Sequence, residues 1–178
     1  MEVIQDFICA GRINRPGSEN SCQYITVHDT GNKKPGADAK SHAKYIKSVG
    51  ERTSWHYTVD DSSIYQHLPD GEKSYHTSKT AANENSIAIE LCVNADGDFE
   101  KTVDNAVWLV QTLRKKYAIP ASNIMSHKDW TGKNCPATLL ENGWDEFIKR
   151  CTEENQLEQS KTISVTELRR LGYTSIML

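Results

Sequence analysis

No run of apolar residues in this 178-residue chain approaches the roughly 20 needed to cross a bilayer, so no stable membrane association is expected. The opening residues, Met1-Glu2-Val3-Ile4-Gln5-Asp6, lack the basic start and apolar stretch of an export signal. Synthesis in the cytoplasm is therefore expected, with any outside substrate reached only after release. Excess positive charge is missing too. The net charge is -3 and the basic residues form no stripe, which removes nucleic acid from the expected partners. The five cysteines (Cys9, Cys22, Cys92, Cys135 and Cys151) are odd in number and irregularly spaced, so they make no disulfide framework and fit a reducing compartment. There is no internal repeat. What is present, 37% hydrophobic and 25% charged residues, suits one globular domain with a short appendage.

Local patterns divide the chain. Residues 1–23 read as an irregular arm with a turn at Arg15-Pro16-Gly17-Ser18. Tyr24 to Val27 is apolar and β-branched, a buried strand that delivers His28 at its end. Asp38 to Val49 reads as a helix capped by Asp38, with Ala39, Ala43 and Ile46 on one face and His42 on its surface. Trp55–Asp60 and Ser63–His67 form a hairpin, and Ser86–Val93 is the strongest strand. Val103, Ala106, Val107, Val110, Leu113 and Tyr117 mark the apolar face of a helix over Thr102–Tyr117, which Pro120 ends. Ile124–Ser126 is a short strand carrying His127, and a last helix runs from Gly143 to about Glu154. Alternating strands and helices predict an α/β domain, a mixed central sheet flanked by helices with a cleft on one face. The core domain is expected over 1–152. Residues 153–178 read as a polar linker and a short segment with a helical pattern at Val165, Leu168 and Leu171, too short for a core of its own.

Three side chains suit zinc: His28, His127 and Cys135, the last two within Ser126-His127-Lys128-Asp129-Trp130-Thr131-Gly132-Lys133-Asn134-Cys135-Pro136. Alone, each has a bland reading; His28, for one, is an ordinary strand-end histidine. Together they fill three corners of a tetrahedron and leave the fourth to water, which separates a catalytic zinc from a closed structural one. Zinc lowers the pKa of water from about 16 to roughly 7, so the set suggests metal-assisted hydrolysis. Glu90 sits in an apolar strand between Ile89 and Leu91, where a carboxylate is costly unless it has work to do. There it would be the general base, then carry the proton to the leaving amine. Lys133, two residues before Cys135, would face the oxyanion. His76 lies on a polar loop before Glu90 and faces the same cleft. Two other readings stand beside this one. A cysteine hydrolase would use Cys135 as nucleophile and His127 as base, and a structural zinc would need a fourth ligand, for which only His76 offers itself.

Four ordered segments carry a family resemblance: Tyr24-Ile25-Thr26-Val27-His28-Asp29-Thr30, Ser54-Trp55-His56-Tyr57, Asn85-Ser86-Ile87-Ala88-Ile89-Glu90, and Ser126-His127-Lys128-Asp129 through Lys133-Asn134-Cys135-Pro136. Over about residues 20–150 the chain resembles the zinc-dependent N-acetylmuramoyl-L-alanine amidases of the type-2 family, found in phage endolysins and bacterial autolysins and sharing their fold with peptidoglycan recognition proteins. The resemblance implies one zinc ion on His28, His127 and Cys135, Glu90 and Lys133 as catalytic residues, and Trp55 and His76 as substrate contacts. Some relatives carry a catalytic tyrosine where this chain has Trp55, which has no hydroxyl to donate, so Glu90 and Lys133 would carry more of the chemistry. The implied partner is peptidoglycan, cut as an endolysin by a monomer. The alternative is a non-catalytic peptidoglycan recognition module, a branch in which the cysteine ligand is usually missing.

Overall fold

The structure, a computed structural model, describes residues 2–153 and 170. The polar stretch 154–162 and the pattern of Val165, Leu168 and Leu171 lie outside the described residues.

Six strands form one mixed sheet: β1 (Val3–Gln5), β2 (Tyr24–Asp29), β3 (Tyr57–Val59), β4 (Ile64–Gln66), β5 (Ser86–Leu91) and β6 (Ile124–Ser126), in the spatial order β1-β4-β3-β5-β2-β6. Only the β3–β4 hairpin is antiparallel; β1–β4, β3–β5, β5–β2 and β2–β6 are parallel. The expected α/β layered architecture is therefore present. Period-two alternation explains its two faces. Ile25 and Val27 of β2 and Ile87, Ile89 and Leu91 of β5 join the main core, packed under α3 (Phe99–Tyr117) and α6 (Trp144–Thr152). Thr26, His28, Ser86, Ala88 and Glu90 point the other way, toward the side covered in part by α1 (Ala39–Ser48), whose Ile46 packs with Ala88, Trp55 and Leu68.

Four local readings need correction. The N-terminal arm is not wholly irregular, because β1 extends the sheet beside β4. His42 does not sit on the helix surface but is buried with Ala39, Ala43 and Ile46, as the 39-42-43-46 spacing requires of one helical face. Three short helices went unread: α2 (Thr80–Asn85), α4 (His127–Thr131) and α5 (Ala137–Asn142). The long helix begins at Phe99 rather than Thr102, capped by Asp98, whose side chain accepts from the Lys101 amide. Among the described residues no helix is long and apolar enough to cross a membrane.

A buried carboxylate ties helix to sheet. Asp70 accepts from Tyr57 of β3, from Gln66 Nε2 of β4 at 3.0 Å, and from Lys116 Nζ at 2.9 Å and Tyr117 Oη at 2.8 Å of α3. Burial alone would raise its pKa, but the hydrogen bonds from Tyr57, Lys116 and Tyr117 outweigh that and hold it below the usual range. Asp70→Asn puts an amide donor among donors and is expected to cost about 2–3 kcal/mol, read as a lowered denaturant midpoint at unchanged slope. Because the folded pKa is depressed, the stabilisation is in place above about pH 4 and is lost as pH falls through the folded value. The difference between variant and wild type should narrow in acid.

Candidate metal centre and cleft

Strand register assembles the site. His28 of β2 stands opposite Glu90 of β5, and Val27 opposite Ser126 of β6, so His28, Glu90 and His127 leave three neighbouring parallel strands at the same end. At Ser126 the chain turns from β6 into α4 through a capping box: the Ser126 hydroxyl accepts from the Asp129 amide, and the Asp129 carboxylate accepts from the Ser126 amide. Gly132, with φ 79°, ends α4 in the left-handed region and turns the chain back. The Lys128 amide then donates to the Cys135 carbonyl at 3.1 Å, which fixes Cys135 beside His127.

His28, His127 and Cys135 are buried, and one ligand atom from each lies within 4.8 Å of the others. His28 Nδ1 is 3.8 Å from the Cys135 Sγ, and the His28 and His127 rings meet edge to face at 4.7 Å between centroids. Burial, then the neighbouring His76 and His127 rings and the Lys133 charge, holds His28 well below the usual imidazole range. Burial and Lys133 lower His127 as well, so both rings are neutral. The Nδ1 of His127 is buried with no hydrogen-bond partner. Neutral imidazoles, a thiol and an orphaned ring nitrogen at this spacing fit a zinc ion's donor set.

The cysteine-hydrolase reading fares worse. Burial pushes the Cys135 thiol up to about 12, only partly countered by the Asp29 amide that donates to the sulfur. A nucleophilic cysteine needs its pKa pulled the other way, whereas a metal ion deprotonates a coordinating thiol outright.

Glu90 is the second element. Its Oε2 is buried without a partner, and burial, then the nearby Asp29, raises its carboxyl well above the usual range. Lys133 is exposed, but its charge bears on His28, His127, Glu90 and Cys135 together. Trp55 is buried and donates from Nε1 to the Thr58 hydroxyl at 2.7 Å. It also lines, with Glu90, an open cavity of about 380 Å³. Residues that the sequence reading passed over complete this cavity: Thr30, Asn32 and Ala37 from the loop after β2, Ser41, His42 and Tyr45 from α1, and Thr53. The helical spacing of Ser41 and Tyr45 was the available signal. No lysine or arginine lines it, so it suits a neutral polar group flanked by the Trp55 and Tyr45 rings. His76 is not among these residues; its two ring nitrogens face His28 Nε2 at 2.9 Å and the Ala82 carbonyl at 3.2 Å.

A His/His/Cys cluster spaced to hold a metal ion stands at the carboxyl ends of parallel strands of this α/β domain, with half-buried Glu90 beside it. Residues 18–138 match the Amidase_2 family model, N-acetylmuramoyl-L-alanine amidase. N-acetylmuramoyl-L-alanine amidase XlyA of Bacillus subtilis (strain 168) is 50% identical over 149 residues, 83% of this chain and 50% of that protein. CwlH of the same organism, also named an N-acetylmuramoyl-L-alanine amidase, is 49% identical over 149 residues, 82% of this chain and 59% of that protein. The solved catalytic domain of XlyA superposes with a TM-score of 0.82 at 48% identity, covering 85% of this chain and 99% of the domain. The chain thus belongs to the N-acetylmuramoyl-L-alanine amidase family, and it spans about half the length of these two curated relatives.

Proposed function

We propose that this chain hydrolyses the amide between the lactyl group of N-acetylmuramic acid and the L-alanine of the stem peptide in peptidoglycan, with one zinc ion as cofactor. One observation carries the reading: the buried His28–His127–Cys135 cluster lies beside half-buried Glu90, whose Oε2 is buried without a hydrogen-bond partner. Zinc held there would supply Lewis acidity and hydroxide near neutral pH. Glu90, in its ionised form, takes the proton from the attacking water and returns it to the departing amine. Lys133 lends positive charge as the carbonyl oxygen becomes an oxyanion. Trp55 and the cavity walls hold the substrate with its scissile carbonyl toward the cluster. All these residues come from one chain, which supports action as a monomer, and residues 1–152 carry the whole set.

Cutting this bond strips stem peptides, and with them the cross-links, from the glycan strands, which supports the role of an endolysin made in the cytoplasm and acting on the wall after release. The test is digestion of purified peptidoglycan by zinc-loaded protein, with a chelated control and products read by mass spectrometry. Free stem peptides beginning with L-alanine are expected only in the metal-loaded reaction. Intact wall material bound by fully zinc-loaded protein would overturn the enzyme reading in favour of a recognition module.

A further inference from the structure

His76 spends both ring nitrogens inside the protein. Nε2 lies 3.2 Å from the Ala82 carbonyl, which can only accept, so that nitrogen carries the proton. In a neutral ring Nδ1 is then a lone pair, and it faces His28 Nε2 at 2.9 Å. His28 must donate from Nε2. Its Nδ1, 3.8 Å from the Cys135 sulfur, is left proton-free and turned toward the cluster. We infer that His76 is a positioning residue for the metal centre: it locks His28 in the Nε2–H tautomer and aims its Nδ1 lone pair at the ion. The inference rests on the metal reading of the site and replaces substrate contact as the role of His76.

The supporting frame runs back to α2. Asn83 Oδ1 accepts from the His76 amide at 3.1 Å and the Thr77 amide at 3.0 Å, while Asn83 Nδ2 donates to the Thr77 carbonyl at 3.0 Å. Ala82, one residue earlier, supplies the carbonyl that sets the His76 tautomer. A six-residue helix thus clamps both backbone and ring of the loop histidine. The His28 and His76 rings stand 89° apart, so the lone pair of one meets the N–H edge of the other and fixes the His28 ring plane as well as its proton. Hydrogen bonds of this kind to ligating histidines tune affinity by about 10- to 100-fold.

The test compares the full chain with His76→Leu, which keeps bulk but loses the acceptor, and His76→Asn, whose Oδ1 restores one. Zinc affinity is read by competition with a chromophoric chelator. His76→Leu is expected to bind zinc about 10- to 100-fold more weakly, and His76→Asn to recover most of the loss. KM at saturating zinc should stay at the wild-type value in both. Independently of any variant, two-bond proton–nitrogen spectra of the metal-free wild type should show His28 with its proton on Nε2, and His76→Leu should show a mixture of tautomers. Unchanged zinc affinity in His76→Leu would overturn the inference, as would a wild-type His28 protonated at Nδ1. A raised KM at unchanged affinity would return His76 to the substrate. Wild-type protein that takes up no zinc would instead sink the metal reading, and the tautomer spectra would still decide the His76–His28 relation.

Discussion

Glu90→Gln is expected to lower turnover by about 10²- to 10⁴-fold while the protein still takes up its zinc, because the amide keeps the shape of the carboxylate but cannot accept the proton. The same substitution should make the metal-free protein more stable at neutral pH. Burial raises the Glu90 carboxyl well above its usual range, so between the unfolded and folded values the native state holds a proton that the unfolded chain has released. Stability contributed by that proton is present at low pH and is lost as pH rises. A neutral glutamine removes this burden. Lost activity through misfolding would lower stability instead, so opposite movements of turnover and denaturant midpoint assign the loss of activity to the carboxylate itself. Near-normal turnover would remove it from the mechanism.

The second large effect concerns Cys135. Cys135→Ala takes one of three ligand atoms from a cluster that spans no more than 4.8 Å, and zinc affinity is expected to fall beyond the roughly 100-fold range of outer-shell changes. The pH dependence should change with it. The thiol, raised to about 12 by burial, is protonated in the metal-free protein at neutral pH, so uptake of zinc must expel its proton. Wild-type affinity should therefore rise with pH between about 6 and 8, with proton release measurable by titration in buffers of different ionisation heat. In Cys135→Ala that slope should flatten. Unchanged metal content, or an unchanged slope, would sink the assignment of Cys135 as a ligand.

Legibility in the sequence followed the physics of each segment. β5 was readable because Ile87, Ile89 and Leu91 fill one core while Ala88 packs into another, so the whole strand reads as apolar and Glu90 stands out against it. Long α3 announced itself through its apolar face. Six-residue α2 and α5 are too short for any periodicity to declare them, and β1 is a partly exposed edge strand with no alternation to read. Helix α4 is different. Ser126 and Asp129 carried a capping-box signal that was there to be used. The three ligand candidates could be named from residue type and company, yet that they meet depends on β2 lying between β5 and β6, and strand order is not written in local pattern. The clasp between His76 and His28 bridges 48 positions of chain and was out of reach for the same reason.

The parallel pairing of β2 with β6 also governs when the chain can acquire chemistry. His28 is made early, His127 and Cys135 about a hundred positions later, and they meet only after β6 docks beside β2. No nascent or clipped piece that ends short of Cys135 contains the cluster. If the cluster holds the metal, its geometry becomes a reporter of the finished sheet. Loss of zinc and loss of sheet structure should coincide along a denaturant series, so metal occupancy counts completed molecules.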